Sequence, residues 1–325
     1  MHCIANENKL MNSPGHNKIN RASSGRKAFT LTELLVVVAV VAMLAGLRLT
    51  ALAAAKTRSK SAQCYNNTRQ LGLAWLMYAG DNHDYILCSS DDGSGTAPYE
   101  AVDTSSGHLG DNCAWSWSKM NFDPNNYYNT DPAADMMLRP MWSYNKNTNI
   151  RKCPSDTSAV SSNGVTVPRV RSYSMNWFLG GFGANASDLS ESGAAFPYYT
   201  KLTDLANTVT SPGAANTFVF IEERFDCINW GSFETVMAGY PQPNKAAVPG
   251  AYEWVGDMPA LYHDFASVIS FADGHSEIHR WHGDQGDTLP ASQGALLSGK
   301  GSGTTFPVPY SADVAWMQNV SVRPR

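Results

Sequence analysis

From Phe29 to about Gly80 nothing in the chain breaks a helix. Proline is absent between Pro14 and Pro98, and the only glycines inside are Gly46 and Gly72. Hydrophobicity divides this stretch in two. Leu34 to Leu47 carries no charged or polar side chain, whereas from Arg48 onward Lys56, Arg58, Lys60, Arg69 and Gln70 alternate with Ala54, Ala62, Leu71, Trp75 and Tyr78. Leu71, Trp75 and Tyr78 recur at i, i+4 and i+7, which places them on one helical stripe. That stripe predicts a helix with one face laid on a sheet. A single helix of about 50 residues would be roughly 75 Å long. It is expected to stop near Gly80-Asp81-Asn82, where residues that tolerate turn geometry cluster.

Beyond the helix the pattern changes to short apolar runs separated by turn formers. Ser89 to Gly95 reads as a loop, and aromatic-rich irregular sequence follows through Trp115, Trp117, Tyr127, Tyr128 and Trp142. Strands are predicted at 169–178, 217–221, 251–255, 268–271 and 276–281, the last two flanking Asp273-Gly274. If Asp273-Gly274 forms a two-residue turn, Ile269 faces Ile278 and Phe271 faces Ser276. Ile269, Phe271 and Ile278 then share a core face, with His275, Glu277 and His279 on the other. The stretch 298–305, rich in Gly, Ser and Thr, reads as a flexible connection, and Asp313 to Trp316 as part of a final docking segment. The fold class is α+β: a long N-terminal helix, membrane span plus amphipathic half, packed on an antiparallel β-sheet head with long loops.

Composition narrows the chemistry. The net charge is -4 over 325 residues, which gives no basis for a nucleic-acid partner. Gly-x-Ser-x-Gly, a Gly-rich phosphate loop and His-Glu-x-x-His are all missing, so no nucleophile and base are assembled and the chain is not read as an enzyme. The cysteines stand at 3, 64, 88, 113, 153 and 227. Outside the cytoplasm a disulfide is expected, with Cys113 and Cys153 as the pair; the alternative is that the cysteines are small buried hydrophobes. No Cys-x-x-Cys occurs, so no zinc or redox site of that type is predicted. His275, Glu277, His279 and His282 with Asp273 offer metal-ligand residue types, but a strand does not converge them. Asp81, Asp84, Asp91 and Asp92 offer carboxylates for calcium, in a spacing that fits no twelve-residue calcium loop and that reads better as solvated turns. No cofactor is therefore assigned. The abundant Trp and Tyr leave a second reading open, a membrane-anchored extracytoplasmic carbohydrate-binding module.

Residues 1 to 28 carry Lys9, Lys18, Arg21, Arg26 and Lys27 with no acidic residue between Asn8 and Thr32. A basic flank of this kind stays in the cytoplasm, which puts the head outside. Leu34 to Leu47 followed by Ala51-Leu52-Ala53 also has the form of a secretory signal with an A-x-A site. Against that reading stand Glu33 and two threonines just inside the apolar region. A carboxylate in hydrocarbon costs at least about 2 kcal/mol and is kept for a partner. A chain cut before Phe29 supplies one, an α-amino group roughly 6 Å from Glu33 along the helix axis.

Lys27-Ala28-Phe29-Thr30-Leu31-Thr32-Glu33-Leu34-Leu35 resembles the class III signal of type IV pilins and type II secretion pseudopilins. The resemblance implies cleavage between Ala28 and Phe29, N-methylation of Phe29, and a Glu33 that guides subunit docking. Cys64-Tyr65-Asn66-Asn67-Thr68-Arg69-Gln70-Leu71-Gly72-Leu73-Ala74 is similar to a run found in a subset of pilin-like proteins. His263, followed after nine residues by Asp273-Gly274, resembles a C-terminal signature of the same class and implies a structural role for these three residues. The expectation is that the His263 imidazole bonds the turn. Ala42 and Gly46, four apart, suit close helix approach in lipid. On this reading 1–28 is a leader, 29–80 a transmembrane and amphipathic helix, and 81–325 a β-rich extracytoplasmic head. Prepilin peptidase/methyltransferase, other pilin-like subunits and inner-membrane lipid are the implied partners of a single-pass inner-membrane protein. Its N-terminus would be cytoplasmic and its head periplasmic or extracellular.

Overall fold

A computed structural model describes residues 29–90, 113–116, 119–162, 164–180, 196–282 and 305–324. The expected leader, Asp91, Asp92, Trp117 and almost all of the Gly/Ser/Thr stretch lie outside these residues. By compactness the chain divides into Met1–Leu52 and Ala53–Arg325. The fold is α+β.

Helix α1, Leu31–Asp81, begins in the first unit. There its apolar side chains are exposed, Leu35 by 64%, Val36 by 60% and Met43 by 72%. Among the described residues no helix is long and apolar enough to cross a membrane. The apolar run Leu34 to Leu47 is bounded by Glu33 and Arg48.

In the second unit α1 buries Cys64, Thr68, Leu71, Trp75 and Tyr78, one helical stripe, while Ala54 and Ala62 stay exposed. Asn82 ends the helix by donating its side-chain amide to Tyr78 O (2.8 Å). The five-stranded sheet has the order β5-β3-β4-β7-β8. Its strands are β3 (Tyr173–Asn176), β4 (Phe218–Glu222), β5 (Ser232–Phe233), β7 (Ala266–Phe271) and β8 (Ser276–Arg280). All pairings are antiparallel except β3 with β5. Among the described residues two small ribbons accompany it: β1 (Ala159–Ser162) with β2 (Val165–Pro168), and β6 (Glu253–Trp254) with β9 (Phe306–Pro307).

Both faces of the main sheet are covered, which is why β3, β4 and β7 are buried at every position. Leu71, Trp75 and Tyr78 of α1 form one core with Tyr173, Met175, Val219, Phe220 and Val268. Phe218, Ile221, Ile269, Phe271 and Trp281 form the other with Trp254, Met258 and three residues of helix α2 (Ala312–Ser321), Val314, Met317 and Val320. An irregularity between Phe218 and Phe220 lets Val219 and Phe220 both serve the α1 side. Gly72 brings α1 close to β7, since a Cβ there would sit 3.2 Å from Ser270 Cβ.

The β7–β8 register differs by one residue from the sequence expectation. Val268 faces Ile278 and Ile269 faces Glu277. The loop has three residues, Ala272-Asp273-Gly274, closed by Gly274 N to Phe271 O and Phe271 N to His275 O, both 2.9 Å. Of the three only Gly274 has positive φ (+90°), so the two-residue turn, which needs it at both positions, is not formed. Ile278 is consequently half exposed rather than in the core. The disulfide also differs. It joins Cys88 to Cys113, not Cys113 to Cys153, and Cys64, Cys153 and Cys227 are buried and take no part in it. Cys88 pairs its backbone with the segment that carries Cys113 (Cys88 N to Cys113 O, 2.8 Å), which sets the two side chains together.

Beneath β3 lies a buried charged group, Arg171, Glu223 and Asp257. Burial pushes the Asp257 carboxyl up to about 8, with Glu234 adding to it, while the Glu234 N–H, a bond to Glu223 and the Arg171 charge pull the other way. Folded Asp257 therefore holds a proton that the unfolded chain releases near pH 4. Its contribution to stability is full below that pH and is lost as pH rises toward 8. Melting temperature should fall between about pH 5 and pH 8, and Asp257→Asn should flatten that slope. The same slope in the Asn variant would refute the assignment.

Candidate functional site

The N-terminal segment is built on a helix cap. Thr30 precedes α1 and its Oγ1 accepts the Glu33 N–H (3.2 Å), while Glu33 Oε2 accepts from Thr30 N (2.9 Å) and Thr30 Oγ1 (2.8 Å). This is a capping box, legible in Thr30-x-x-Glu33 but not read there. Glu33, expected to face the Phe29 amine, is held by Thr30. Phe29 is exposed; Ala28 lies outside the described residues.

A second constellation lies in the Ala53–Arg325 unit. Cys64 on α1, Cys153 after the 3-10 turn Thr148–Arg151, Glu222 at the end of β4 and His263 before β7 bring their donor atoms within 4.8 Å of one another, and all four residues are buried. His263 Nε2 lies 3.1 Å from Glu222 Oε1 and 3.5 Å from Cys153 Sγ. Cys64 Sγ contacts the same Glu222 oxygen and the Tyr173 hydroxyl, the latter at 2.7 Å. Around this ring stand further groups. Ser61 Oγ meets His263 Nδ1 (3.0 Å), the Val268 N–H donates to Glu222 Oε2 (2.7 Å), and the Ser155 N–H donates to Cys153 Sγ (3.3 Å).

The electrostatics are those of crowded anions. Burial, then Cys153 and Glu222, push the Cys64 thiol up. Burial opposes ionisation of Cys153 as well, yet bonds from Cys64 and His263 draw its thiol down. Burial disfavours charge on His263, but Cys153 and Glu222 outweigh it and push the imidazole up to about 10. A positive charge is thus favoured among these groups. Two thiols, an imidazole and a carboxylate can bind a divalent cation, or close on themselves as a hydrogen-bonded network or a Cys64–Cys153 disulfide.

His263 therefore points at Glu222 and Cys153, not at the Asp273-Gly274 turn. Asp273 instead bonds His275, accepting its N–H at 3.0 Å. The histidines in and around β8 do not converge: His275 stacks on Phe271, His279 stacks on Trp316, and His282 meets Asp313. Asp84, considered for calcium, accepts the Thr203 N–H (2.9 Å). None of the described tryptophans is exposed. Sequence reasoning missed the cluster because its members are scattered over 200 positions. The available signals were a polar Cys64 on the buried stripe of α1 and two carboxylates, Glu222 and Glu223, closing an apolar strand.

Comparison with known proteins bears on the N-terminus. Residues 23–47 match the family model of the prokaryotic N-terminal methylation motif. The motif supports a pilin-type segment, processed by prepilin peptidase, on an exported, membrane-anchored protein. Neither a curated protein nor a solved structure matches the chain.

Proposed function

We propose that this chain is a structural pilin-like or pseudopilin subunit, cut before Phe29, methylated there, and assembled through α1 into a type II secretion or type IV pilus-like filament. The observation that carries the reading is the methylation motif over residues 23–47, which ends with the apolar run. From Leu31 to Leu44 that helix presents leucine, valine and methionine to the outside, a surface that needs lipid first and neighbouring copies later.

The subunit waits in the inner membrane with its N-terminus cytoplasmic and its head outside. Glu33 is the costly group in seating the apolar run. The amine created at Phe29 neutralises it, on the same helix or from a neighbour, and the Thr30 cap holds the carboxylate at the helix start until then. Ala42 and Gly46 let helices approach closely. The remaining unit, Ala53–Arg325, supplies the filament surface.

The test is expression of the full chain with and without a prepilin peptidase, with Glu33→Ala alongside, read by intact mass and filament recovery. Wild type should begin at N-methyl-Phe29 only with the peptidase. Glu33→Ala should be cut yet fail to enter filaments. A mature chain beginning beyond Ala53 would overturn the proposal.

A further inference from the structure

We propose that Cys64, Cys153, Glu222 and His263 form a closed, four-coordinate structural zinc site that clamps α1 to the sheet. The donor set is the first argument. Thiolate and imidazole are the ligands that select zinc among abundant divalent ions, and a carboxylate completes a tetrahedral set. Four protein ligands leave no open position, so the site is structural rather than catalytic.

Geometry is the second. Zinc bonds of about 2.0 to 2.3 Å at tetrahedral angles separate ligand atoms by roughly 3.3 to 3.8 Å. The observed His263 Nε2 separations of 3.1 Å from Glu222 Oε1 and 3.5 Å from Cys153 Sγ lie close to that range. A modest spreading of the ring admits the ion.

The surroundings are the third. Zinc-bound histidines bond their other nitrogen to a fixed partner, and bound carboxylates and thiolates take N–H or O–H donors. Here Ser61 Oγ holds His263 Nδ1, leaving Nε2 for the centre; Val268 N holds the second Glu222 oxygen; Ser155 N and Tyr173 OH bond Cys153 and Cys64. Charge supplies the last argument. The buried Glu222 carboxylate needs a positive partner, a place that the His263 imidazole 3.1 Å away fills and that Zn²⁺ would take over. Binding displaces the protons of Cys64, Cys153 and any on His263 Nε2 to solvent, and two thiolates and a carboxylate then face Zn²⁺. No electron changes hands. The same arrangement gives a reason for Cys64 in the run Cys64 to Ala74: it anchors the helix one turn before Thr68 and two turns before Leu71.

The test uses the full chain purified in detergent. Elemental analysis should find about one zinc per chain. Cobalt reconstitution should give the thiolate charge-transfer absorption and the intense visible bands of tetrahedral Co²⁺. Cys64→Ser, Cys153→Ser and His263→Ala should each lose at least about 10-fold in zinc affinity, while Cys227→Ser keeps it. Should the ligand variants not fold, the wild-type cobalt spectrum and the fall in melting temperature on chelation still decide. A wild-type chain that takes up neither zinc nor cobalt, or a Cys64–Cys153 disulfide in non-reducing peptide maps, would overturn the proposal.

Discussion

Trp75→Ala should destabilise the head by about 3–5 kcal/mol, a fall in melting temperature on the order of 10 °C for a unit of this size. Trp75 is fully buried and belongs to the core that α1 shares with β3, β4 and β7. Its removal opens a cavity between a helix and a sheet already held close by Gly72 against Ser270, so the walls cannot collapse freely. The indole Nε1 finds no partner among the described residues. Trp75→Phe should therefore recover much of the loss, because it keeps ring volume and removes an unpaired donor that costs about 1–3 kcal/mol when buried. Calorimetry on the full chain in detergent checks both. Equal melting temperatures for wild type and the Ala variant would show that α1 is not seated through this residue.

Replacing both Cys88 and Cys113 by Ser should remove about 3.5 kcal/mol, the chain-entropy value for a sequence separation of 25. The loss is local in its first effects. Cys88 is paired with Ala114 as an isolated bridge, and Trp115 N bonds Cys88 O (3.1 Å), so the link fixes the segment on which Trp115 stands. Trp115 donates to Gly231 O (2.7 Å) and packs T-shaped on Phe220 with centroids 4.9 Å apart. The double variant should show a lower melting temperature and a shifted Trp115 fluorescence that Trp115→Phe abolishes. Adding reductant to the wild type should reproduce the loss. An unchanged melting temperature in the variant would mean the backbone pairing alone holds the segment.

What the sequence disclosed follows from how local each signal is. The stripe Leu71, Trp75, Tyr78 and the end of α1 near Gly80 depend on neighbours within two turns, and both are seen as read. Strands β3, β4, β7 and β8 overlap the predicted runs, yet 169–172 is not strand. There Arg169 and Arg171 turn to donate to the carbonyls of Ile228 and Asn229, each at 3.1 Å, a demand set by a loop more than fifty residues away. The hairpin was found but slipped by one because Asp-Gly serves equally in a two-residue turn and at the end of a three-residue one. Only the observed φ of Asp273 and Gly274 separates these cases. The disulfide and the Cys64, Cys153, Glu222, His263 cluster were not legible at all. Which cysteine meets which is fixed by tertiary pairing of segments that share no periodicity, and Glu222 carries no local mark beyond its place at a strand's end.

The outermost strands of the main sheet have a consequence for crowding. β5 offers only two residues, and β8 carries Glu277, His279 and Arg280, so neither presents the long flat apolar border that recruits a foreign strand. Subunits packed at high local concentration beside one another would otherwise be prone to zip together border to border. In the filament proposed above, blunted borders would keep such heads individually folded while the apolar helices associate, and they make insertion of an unrelated strand, the first step toward amyloid-like stacking, unfavourable.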